Sequence, residues 1–268
     1  EHVTYRDEEE PAMSLLSLIL KMAAPAPKPG AFRKYLFIGP HPDDIEIGAG
    51  ASAARLAAEG KEVHFLICLD GRYGLDYAPE GTAPEALAEI RKREALESAA
   101  VLGVENVHFL GLSDGGFYSP EALRDGMARV IGAVQPDILF APDPYVPSEC
   151  HADHLNVGGT ARQLAFFASV PEIMAQYGAQ PADVRAIAYY MTAKPNRFLG
   201  TRGFMKKQME AIRCHRSQFP EGSGVLDPIE LYLNLRRVSF GIRALKGSAE
   251  GFRVLGKTQM HCLPEAGL

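Results

Sequence analysis

Two short clusters of histidine and aspartate in this 268-residue chain have the types and spacing of metal ligands. His41 and Asp44 are three residues apart, and so are His151 and His154, which flank Asp153. Donors three apart lie on the same side of a helical turn. Imidazole and carboxylate bind Zn²⁺, and a His, Asp, His set that leaves one position open is typical of a catalytic zinc site.

Each cluster alone has a simpler interpretation. An aspartate at the start of a helix is commonly an N-cap, which would suit Asp43, Asp44 or Asp153. A single histidine in a loop is more often solvated or hydrogen-bonded than bound to metal. The metal-site prediction therefore depends on the elements that bring the two clusters together.

Apolar strand-like runs alternate with helical patterns along most of the chain. Strands are predicted at residues 35–39, 63–69, 107–110 and 138–141, followed respectively by helices at about 49–59, 84–102, from Pro120 onward, and 153–168. Later elements are predicted as a strand at 186–192, helices near 204–215 and 228–243, and a strand near 251–255. Serial strand–helix units predict an α/β fold, a Rossmann-like and mostly parallel sheet with helices on both faces.

The two clusters follow the first and fourth predicted strands. Ligands of such sheets bind at the carboxyl ends of the strands. We therefore expect His41 and Asp44 to meet His151 and His154 at one edge of the sheet.

A glycine-rich segment offers a competing interpretation. Residues 48–53 (GAGASA) match the G-x-G-x-x-A pattern of dinucleotide-binding folds. A true fingerprint has its first glycine directly after the strand, whereas here the polar residues 40–47 intervene. Close packing of a helix on the sheet is the favoured interpretation, with a non-hydrolytic nucleotide-binding module as the alternative.

The composition and net charge of the chain indicate which binding partners and which cellular location to expect. The net charge is −5 and no long run of Lys and Arg occurs, which argues against nucleic acid as a partner. No apolar stretch reaches the roughly 20 residues that span a bilayer. Residues 15–20 (LLSLIL) follow acidic residues, so an amphipathic helix is predicted there rather than a signal peptide or a membrane anchor. Four scattered cysteines favour a reducing, cytoplasmic location.

We expect residues 1–30 to be an extension with a linker and residues 31–268 to form one catalytic domain.

Together these motifs resemble a known family. Residues 40–51 (PHPDDIEIGAGA) with 151–154 (HADH) resemble the LmbE-like, or PIG-L, zinc-dependent N-acetylglucosaminyl deacetylases. The resemblance runs from about residue 35 to the end of the chain. Residues 141–154, 212–220 and 250–254 are most similar to the diacetylchitobiose deacetylase branch. Ile45 departs from the family pattern, which has Glu at that position.

The resemblance implies a role for each residue of the clusters. It makes His41, Asp44 and His154 the Zn²⁺ ligands and Asp43 the general base. His151 would stabilise or protonate the reacting centre. Asp153 would orient His151 and raise its pKa.

Further implications concern the substrate and assembly. Arg91 and Asp114 would bind the substrate, and His261 would reach the active site of a neighbouring subunit in a homo-oligomer. The implied reaction is hydrolysis of the N-acetyl group of a small N-acetylglucosamine-containing substrate such as diacetylchitobiose. Another conjugate, such as a thiol-precursor glycoside or an antibiotic, is the alternative substrate.

Overall fold

The computed structural model describes residues 19–20, 22–261 and 263. Most of the amphipathic helix predicted at residues 15–20 lies outside this part of the chain, and so does Cys262. Residues 24–27 run along the last strands: the Ala26 carbonyl accepts a hydrogen bond from Arg197 Nε at 2.8 Å, and the Ala24 carbonyl accepts one from Gln259 Nε2 at 2.5 Å.

The centre of the fold is a seven-stranded sheet in the order β3-β2-β1-β4-β5-β7-β6. The strands are β1 (Lys34–Gly39), β2 (Glu62–Leu69), β3 (Asn106–Leu112), β4 (Ile138–Pro142), β5 (Ala186–Tyr190), β6 (Arg197–Gly200) and β7 (Ala249–Gly256). Strands β1 to β5 pair with one another in parallel, and β7 is antiparallel to β5 and β6. Strands β1 and β4 are buried nearly throughout, as strands covered on both faces must be.

Helices cover both faces of this sheet. Within the described residues they are α1 (Asp44–Ala58), α2 (Pro84–Leu102), α3 (Pro120–Val134), α4 (Ala152–Phe167), α5 (Pro171–Gln176), α6 (Met205–Ile212) and α7 (Leu226–Ala244). One apolar core lies between the sheet and α1, α2 and α6, and a second lies between the sheet and α3 and α4. The predicted α/β class, with a mostly parallel sheet between two helical layers, is confirmed.

The boundaries differ from the prediction chiefly at α1. It begins at Asp44, five residues earlier than expected. The sequence pattern suggested a polar loop here, but Asp44 and Glu46 are buried and have polar partners. The short elements β6 and α5 were not predicted.

The glycine-rich segment lies inside α1 and packs against other elements. A Cβ atom on Gly48 would lie 2.2 Å from a ring carbon of Tyr190, and one on Gly50 would lie 3.1 Å from the Gln208 side chain. These glycines permit close packing, as the sequence analysis favoured. Their position within a helix differs from the strand-to-helix turn of a dinucleotide site.

Among the described residues, no helix combines the length and the apolarity needed to cross a bilayer.

Candidate metal centre and active site

The two clusters lie on adjacent strands. Residues 40–43 connect the end of β1 to α1, and residues 143–151 connect the end of β4 to α4. Because β1 and β4 pair in parallel, with Tyr35 opposite Ile138, their carboxyl ends lie at the same edge. The sheet topology therefore brings the two loops together.

His41, Asp44 and His154 form one compact group. Asp44 is central: its Oδ2 lies 3.1 Å from His41 Nδ1, and its Oδ1 lies 3.3 Å from His154 Nε2. One ligand atom from each residue lies within 4.8 Å of the other two. Two imidazole nitrogens and a carboxylate within this distance of one another are a donor set that fits Zn²⁺.

A second possible group combines His41 with His151 and Asp153. Both oxygens of Asp153 are already occupied: Oδ2 accepts from Gly115 N–H at 2.7 Å and Oδ1 from Gly116 N–H at 3.0 Å. His151 is half exposed at the mouth of the site. The first group is therefore the better metal site.

Each histidine of the first group has a carboxylate on its other nitrogen. Asp153 Oδ2 lies 3.0 Å from His41 Nε2, and Glu149 Oε2 lies 3.1 Å from His154 Nδ1. Carboxylates in this position fix the tautomer and ring orientation of metal-ligating histidines. The sequence analysis missed Glu149, which precedes His154 by five residues in a loop with no readable periodicity.

Asp44 and the two imidazoles shift one another's pKa values. Burial opposes the charged form of His41, but hydrogen bonds to Asp153 and Asp44 raise its pKa to about 10. Burial likewise opposes the charge on His154, yet the Asp44 carboxylate raises its pKa to about 9. Burial of Asp44 is outweighed by His154 and His41, which hold its pKa well below the usual value. In a metal complex the cation would take the place of the protons that these imidazoles carry.

Asp43 points elsewhere because of its backbone. Its φ of 126° lies in the region that favours glycine, so the turn holds Asp43 in a strained conformation. It occupies the N-cap position of α1 without making a side-chain cap bond. Its Oδ2 instead accepts a hydrogen bond from Arg91 Nη2 at 3.1 Å. Burial raises the pKa of Asp43 to about 6, against the lowering effect of Arg91.

The two residues expected to bind substrate mainly hold the loops around the site. Arg91 is buried and also donates from Nη2 to the Pro42 carbonyl at 2.8 Å and from Nη1 to the Gly71 carbonyl at 3.1 Å. Asp114 is buried too, and both of its oxygens accept from Tyr73 N–H, at 3.2 and 3.3 Å.

His151 is oriented differently from the expectation. The Asp153 carboxylate lies 3.9 Å from His151 Nδ1, beyond hydrogen-bond distance. The backbone N–H of Asp153 donates to that nitrogen instead, at 3.3 Å, so His151 is the N-cap of α4. Burial and the neighbouring His41 and His154 lower the pKa of His151, and they outweigh the Asp153 charge, which raises it as the sequence analysis expected.

His261 lies in a different part of the fold. It is exposed, with its ring 5.5 Å from that of Phe166 on α4. It helps to line a cavity of about 780 Å³ that is also lined by Tyr145, Arg162 and Arg253. Within one chain, His261 therefore belongs to this cavity and not to the His41, Asp44 and His154 group.

A buried polar layer lies behind Asp43. Glu46 accepts a hydrogen bond from Ser98 Oγ at 2.7 Å, and its Oε1 lies 3.5 Å from His215 Nε2. His215 is fully buried, and its charge acts on Asp43. Sequence reasoning did not select Glu46, Ser98 or His215, since they lie on three separate helices or loops.

Comparison with known proteins agrees with this geometry. The PIG-L family model, described as GlcNAc-PI de-N-acetylase, matches residues 36–165, which contain both clusters. The diacetylchitobiose deacetylase of Thermococcus kodakarensis is 32% identical over 237 residues, which are 87% of each chain.

Two further proteins extend the comparison. A 1D-myo-inositol 2-acetamido-2-deoxy-alpha-D-glucopyranoside deacetylase of Catenulispora acidiphila is 31% identical over 65% of this chain and 60% of its own. The structure of the N,N'-diacetylchitobiose deacetylase from Pyrococcus horikoshii, complexed with an inhibitor, superposes with a TM-score of 0.82 at 31% identity and covers 96% of this chain and 98% of its own. The resemblance inferred from the sequence is thus confirmed, and the chain belongs to the PIG-L family.

Proposed function

We propose that this protein hydrolyses the N-acetyl group of a small N-acetylglucosamine-containing substrate, releasing acetate and a free amino sugar. At the level of the family, the predicted deacetylase activity is confirmed by the relatives. The observation that carries the proposal is the division between two adjacent aspartates. Asp44 faces two imidazoles, whereas Asp43 is held apart from them by its backbone and by Arg91.

Zn²⁺ is the proposed metal, held by His41, Asp44 and His154. The mixed nitrogen and oxygen donor set supports zinc over the all-oxygen sites typical of Mg²⁺ and Ca²⁺. A zinc ion bound there would lower the pKa of a water molecule to about 7 and polarise a carbonyl group.

Asp43 is the proposed proton carrier, and His151 is the proposed group that stabilises the reacting centre. The Asp43 carboxylate, which this assignment leaves out of the ligand set, accepts a proton from the attacking water molecule. The water oxygen forms a bond to the acetamide carbon, and the carbon–nitrogen bond then breaks. The amine must leave protonated, and the proton that Asp43 took from the water molecule is the one delivered to it. His151 Nδ1 accepts the Asp153 N–H, so the neutral ring carries its hydrogen on Nε2 and donates a hydrogen bond from it to the acetamide oxygen as negative charge develops there.

Arg91 is assigned to positioning Asp43 rather than to substrate binding. Its guanidinium is buried and bonded to Asp43, the Pro42 carbonyl and the Gly71 carbonyl. Such fixed contacts keep a general base in its reactive position.

Two exposed aromatic side chains are the proposed sugar platform. The rings of Tyr73 and Phe117 meet edge to face at 5.6 Å. Phe117 belongs to the loop that follows β3. In this loop Asp114 accepts a hydrogen bond from Tyr73 N–H, and the amides of Gly115 and Gly116 donate to Asp153. Sugar rings commonly pack on such faces. Diacetylchitobiose is the proposed substrate because the relative covered to 87% of its length is named for it. The inositol glycoside named for the second relative is the alternative.

Two further proposals concern the assembly of the protein and its cellular location. The first rests on the family resemblance and on the exposure of His261. We infer a homo-oligomer in which the exposed His261 reaches the active site of the neighbouring subunit. A cytoplasmic location stays a prediction, supported by the free thiols of Cys68, Cys150 and Cys214.

A panel of acetylated compounds tests the proposed reaction. Purified protein with its zinc content measured would be assayed for acetate release from N-acetylglucosamine, diacetylchitobiose and the inositol glycoside. We expect one zinc ion per chain and acetate release from at least one compound, both of which His154→Ala should abolish. Full activity in His154→Ala would refute the ligand assignment. A zinc-loaded wild-type protein that releases no acetate from any of them would refute the substrate class.

A further inference from the structure

The turn formed by residues 71–74 carries Tyr73, one of the two rings of the proposed sugar platform. The Gly74 N–H donates to the Gly71 carbonyl at 3.1 Å and closes the turn, which begins at a φ of 69°. The Tyr73 side chain is 50% exposed. Because an exposed ring has few packing contacts of its own, its position depends on how firmly the backbone of the turn is held.

Side chains from three separate segments bind the backbone of this turn. Arg91 of α2 binds the carbonyl at its start, and Asp114 binds the Tyr73 N–H. The third is Gln218, which lies between α6 and α7 and donates from Nε2 to the Gly74 carbonyl at 2.9 Å. Surface turns are commonly mobile, and three side-chain partners on four residues restrict this one to a single conformation.

Gln218 is packed against the turn as well as bonded to it. A Cβ atom on Gly74 would lie 2.8 Å from Gln218 Oε1 and 2.7 Å from Arg91 Nη1. The close approach of both side chains to the backbone therefore requires glycine at this position. The Gln218 amide and the Arg91 guanidinium together leave the turn little room to move.

Gln218 is itself fixed by contacts on its other side. Ser217 donates from its backbone N–H and from Oγ to the carboxylate of Glu94, at 2.9 and 2.6 Å. The Gln218 N–H donates to the carbonyl of the fully buried His215 at 3.0 Å. Glu94 follows Arg91 by three residues on α2, so one helix anchors both Arg91 and the segment that carries Gln218.

The second contact of the Tyr73 ring leads to the metal centre. The ring meets Phe117 edge to face at 5.6 Å. Two backbone N–H groups of the Phe117 loop donate to the Asp153 carboxylate, which also lies 3.0 Å from His41 Nε2. These contacts fix the Phe117 side of the platform relative to the metal centre, and Gln218 fixes the Tyr73 side.

We propose that Gln218 is a positioning residue for substrate binding, which holds the 71–74 turn so that the Tyr73 ring packs on a sugar residue of the substrate. This role rests on the proposed function. The ring contacts the sugar alike in the ground state and in the transition state, and Arg91 keeps its own bond to Asp43 when Gln218 is changed. Loss of Gln218 therefore weakens substrate binding and leaves the chemical step unchanged.

Steady-state kinetics with diacetylchitobiose test this role. Gln218→Met keeps the approximate size of the side chain but removes the donor. We expect KM to rise about 3- to 10-fold, the effect of one lost hydrogen bond, while kcat changes by less than about twofold. An unchanged KM in Gln218→Met, or a fall in kcat alone, would overturn the proposal.

The matched control is Gln135→Met. Gln135 Nε2 also donates to two backbone carbonyls, those of Gly132 and Pro181, but it lies before the amino end of β4, away from the metal centre. This variant loses the same kind of contact and should leave both KM and kcat unchanged. A rise in KM equal to that of Gln218→Met would show a general effect of lost hydrogen bonds and would contradict a specific role for Gln218.

A double-mutant cycle separates positioning of the ring from any other effect. Tyr73→Ala should itself raise KM. Gln218→Met should raise KM no further in that background, because the ring that Gln218 positions is gone. Equal effects of Gln218→Met with and without the Tyr73 ring would show that Gln218 acts independently of it, and the proposal would be wrong.

Fluorescence tests the same link without turnover. The chain contains no tryptophan, so Tyr73→Trp places a single indole on the turn. The anisotropy of this indole should fall when Gln218→Met is added and should be unchanged when Gln135→Met is added. An unchanged anisotropy with Gln218→Met would refute the role of Gln218 even in an active enzyme. A wild-type protein that releases no acetate would instead refute the proposed function, while the anisotropy still decides whether Gln218 holds the turn.

Discussion

Glu149 makes the sharpest test of how the candidate metal centre is built. Its Oε2 lies 3.1 Å from His154 Nδ1, and its Oε1 accepts the His151 N–H at 2.8 Å. Glu149→Gln keeps the size and one acceptor but removes the charge opposite His154. The ring of His154 should then be a weaker donor to a metal ion and should be held less firmly.

The expected loss of zinc affinity is estimated by comparing the surroundings of Glu149 with those of Asp153. Loss of such an outer partner commonly weakens metal binding by about 10- to 100-fold, or about 1.4 to 2.7 kcal/mol. The Glu149 side chain is 26% exposed, so water replaces part of what is lost, and we expect about a tenfold effect for Glu149→Gln. Asp153 is fully buried and binds His41 and two backbone amides, so Asp153→Asn should cost about 100-fold.

Competition with a chromophoric chelator would measure the zinc dissociation constant of each variant. Glu97→Gln, which removes a carboxylate from a surface ion pair with Arg216, is the matched control and should bind zinc like the wild type. The reasoning is refuted if Glu149→Gln also binds zinc like the wild type, or if its loss exceeds that of Asp153→Asn.

Three further predictions concern Asp43, Arg91 and Glu250 of β7, which accepts hydrogen bonds from the Ala51 and Ser52 amides of α1. Asp43→Ala should retain stoichiometric zinc by metal analysis while kcat falls by about 10²- to 10⁴-fold, as for the loss of a general base; loss of the zinc would contradict the division of roles. Arg91→Lys should lower kcat by about 10- to 100-fold with little change in KM, because one amine cannot reach all three acceptors and Asp43 becomes misplaced; a change in KM alone would favour substrate binding. Burial raises the pKa of Glu250 from 4.5 to about 7, so the native state holds this proton more tightly than the unfolded chain does. The stabilisation that the bound proton confers is therefore present below pH 4.5 and is lost as the pH rises to 7. Urea unfolding should therefore show Glu250→Gln gaining about 2 to 3 kcal/mol relative to the wild type between pH 4.5 and 7, and a constant difference would show that Glu250 does not titrate there.

The fold could be predicted because its signals are local. The strands β1, β2 and β4 are continuous apolar runs, and α2 begins at Pro84 and ends before Gly103, which adopts the left-handed conformation. The four-residue strand β6 has too few residues to show a pattern. The start of α1 was misplaced because its first turn is polar, and only tertiary contacts show that these polar residues are buried.

The site could be predicted where residues that are able to bind a metal also stand at a recognisable spacing in the sequence. His41 with Asp44, and His151 with His154, could be found from spacing, and the parallel sheet implied that they meet. The partners of Arg91 could not be found, because the Pro42 carbonyl is 49 residues away and a backbone acceptor has no signature in the sequence. The orientation of His151 was misjudged for a similar reason, since its partner is the backbone N–H of Asp153.

The turn between β1 and α1 explains how adjacent aspartates serve separate roles. In a regular helix, neighbouring side chains diverge by about 100°. Asp43 instead has a φ of 126°, and its carboxylate binds Arg91, whereas the Asp44 carboxylate lies against the two imidazoles. Arg91 offsets the strain of that conformation by binding both Asp43 and the carbonyl of Pro42. The separation of metal ligand from proton acceptor is therefore a property of the backbone, stabilised from α2, and it should be disturbed by substitutions at Arg91 that leave every proposed ligand in place.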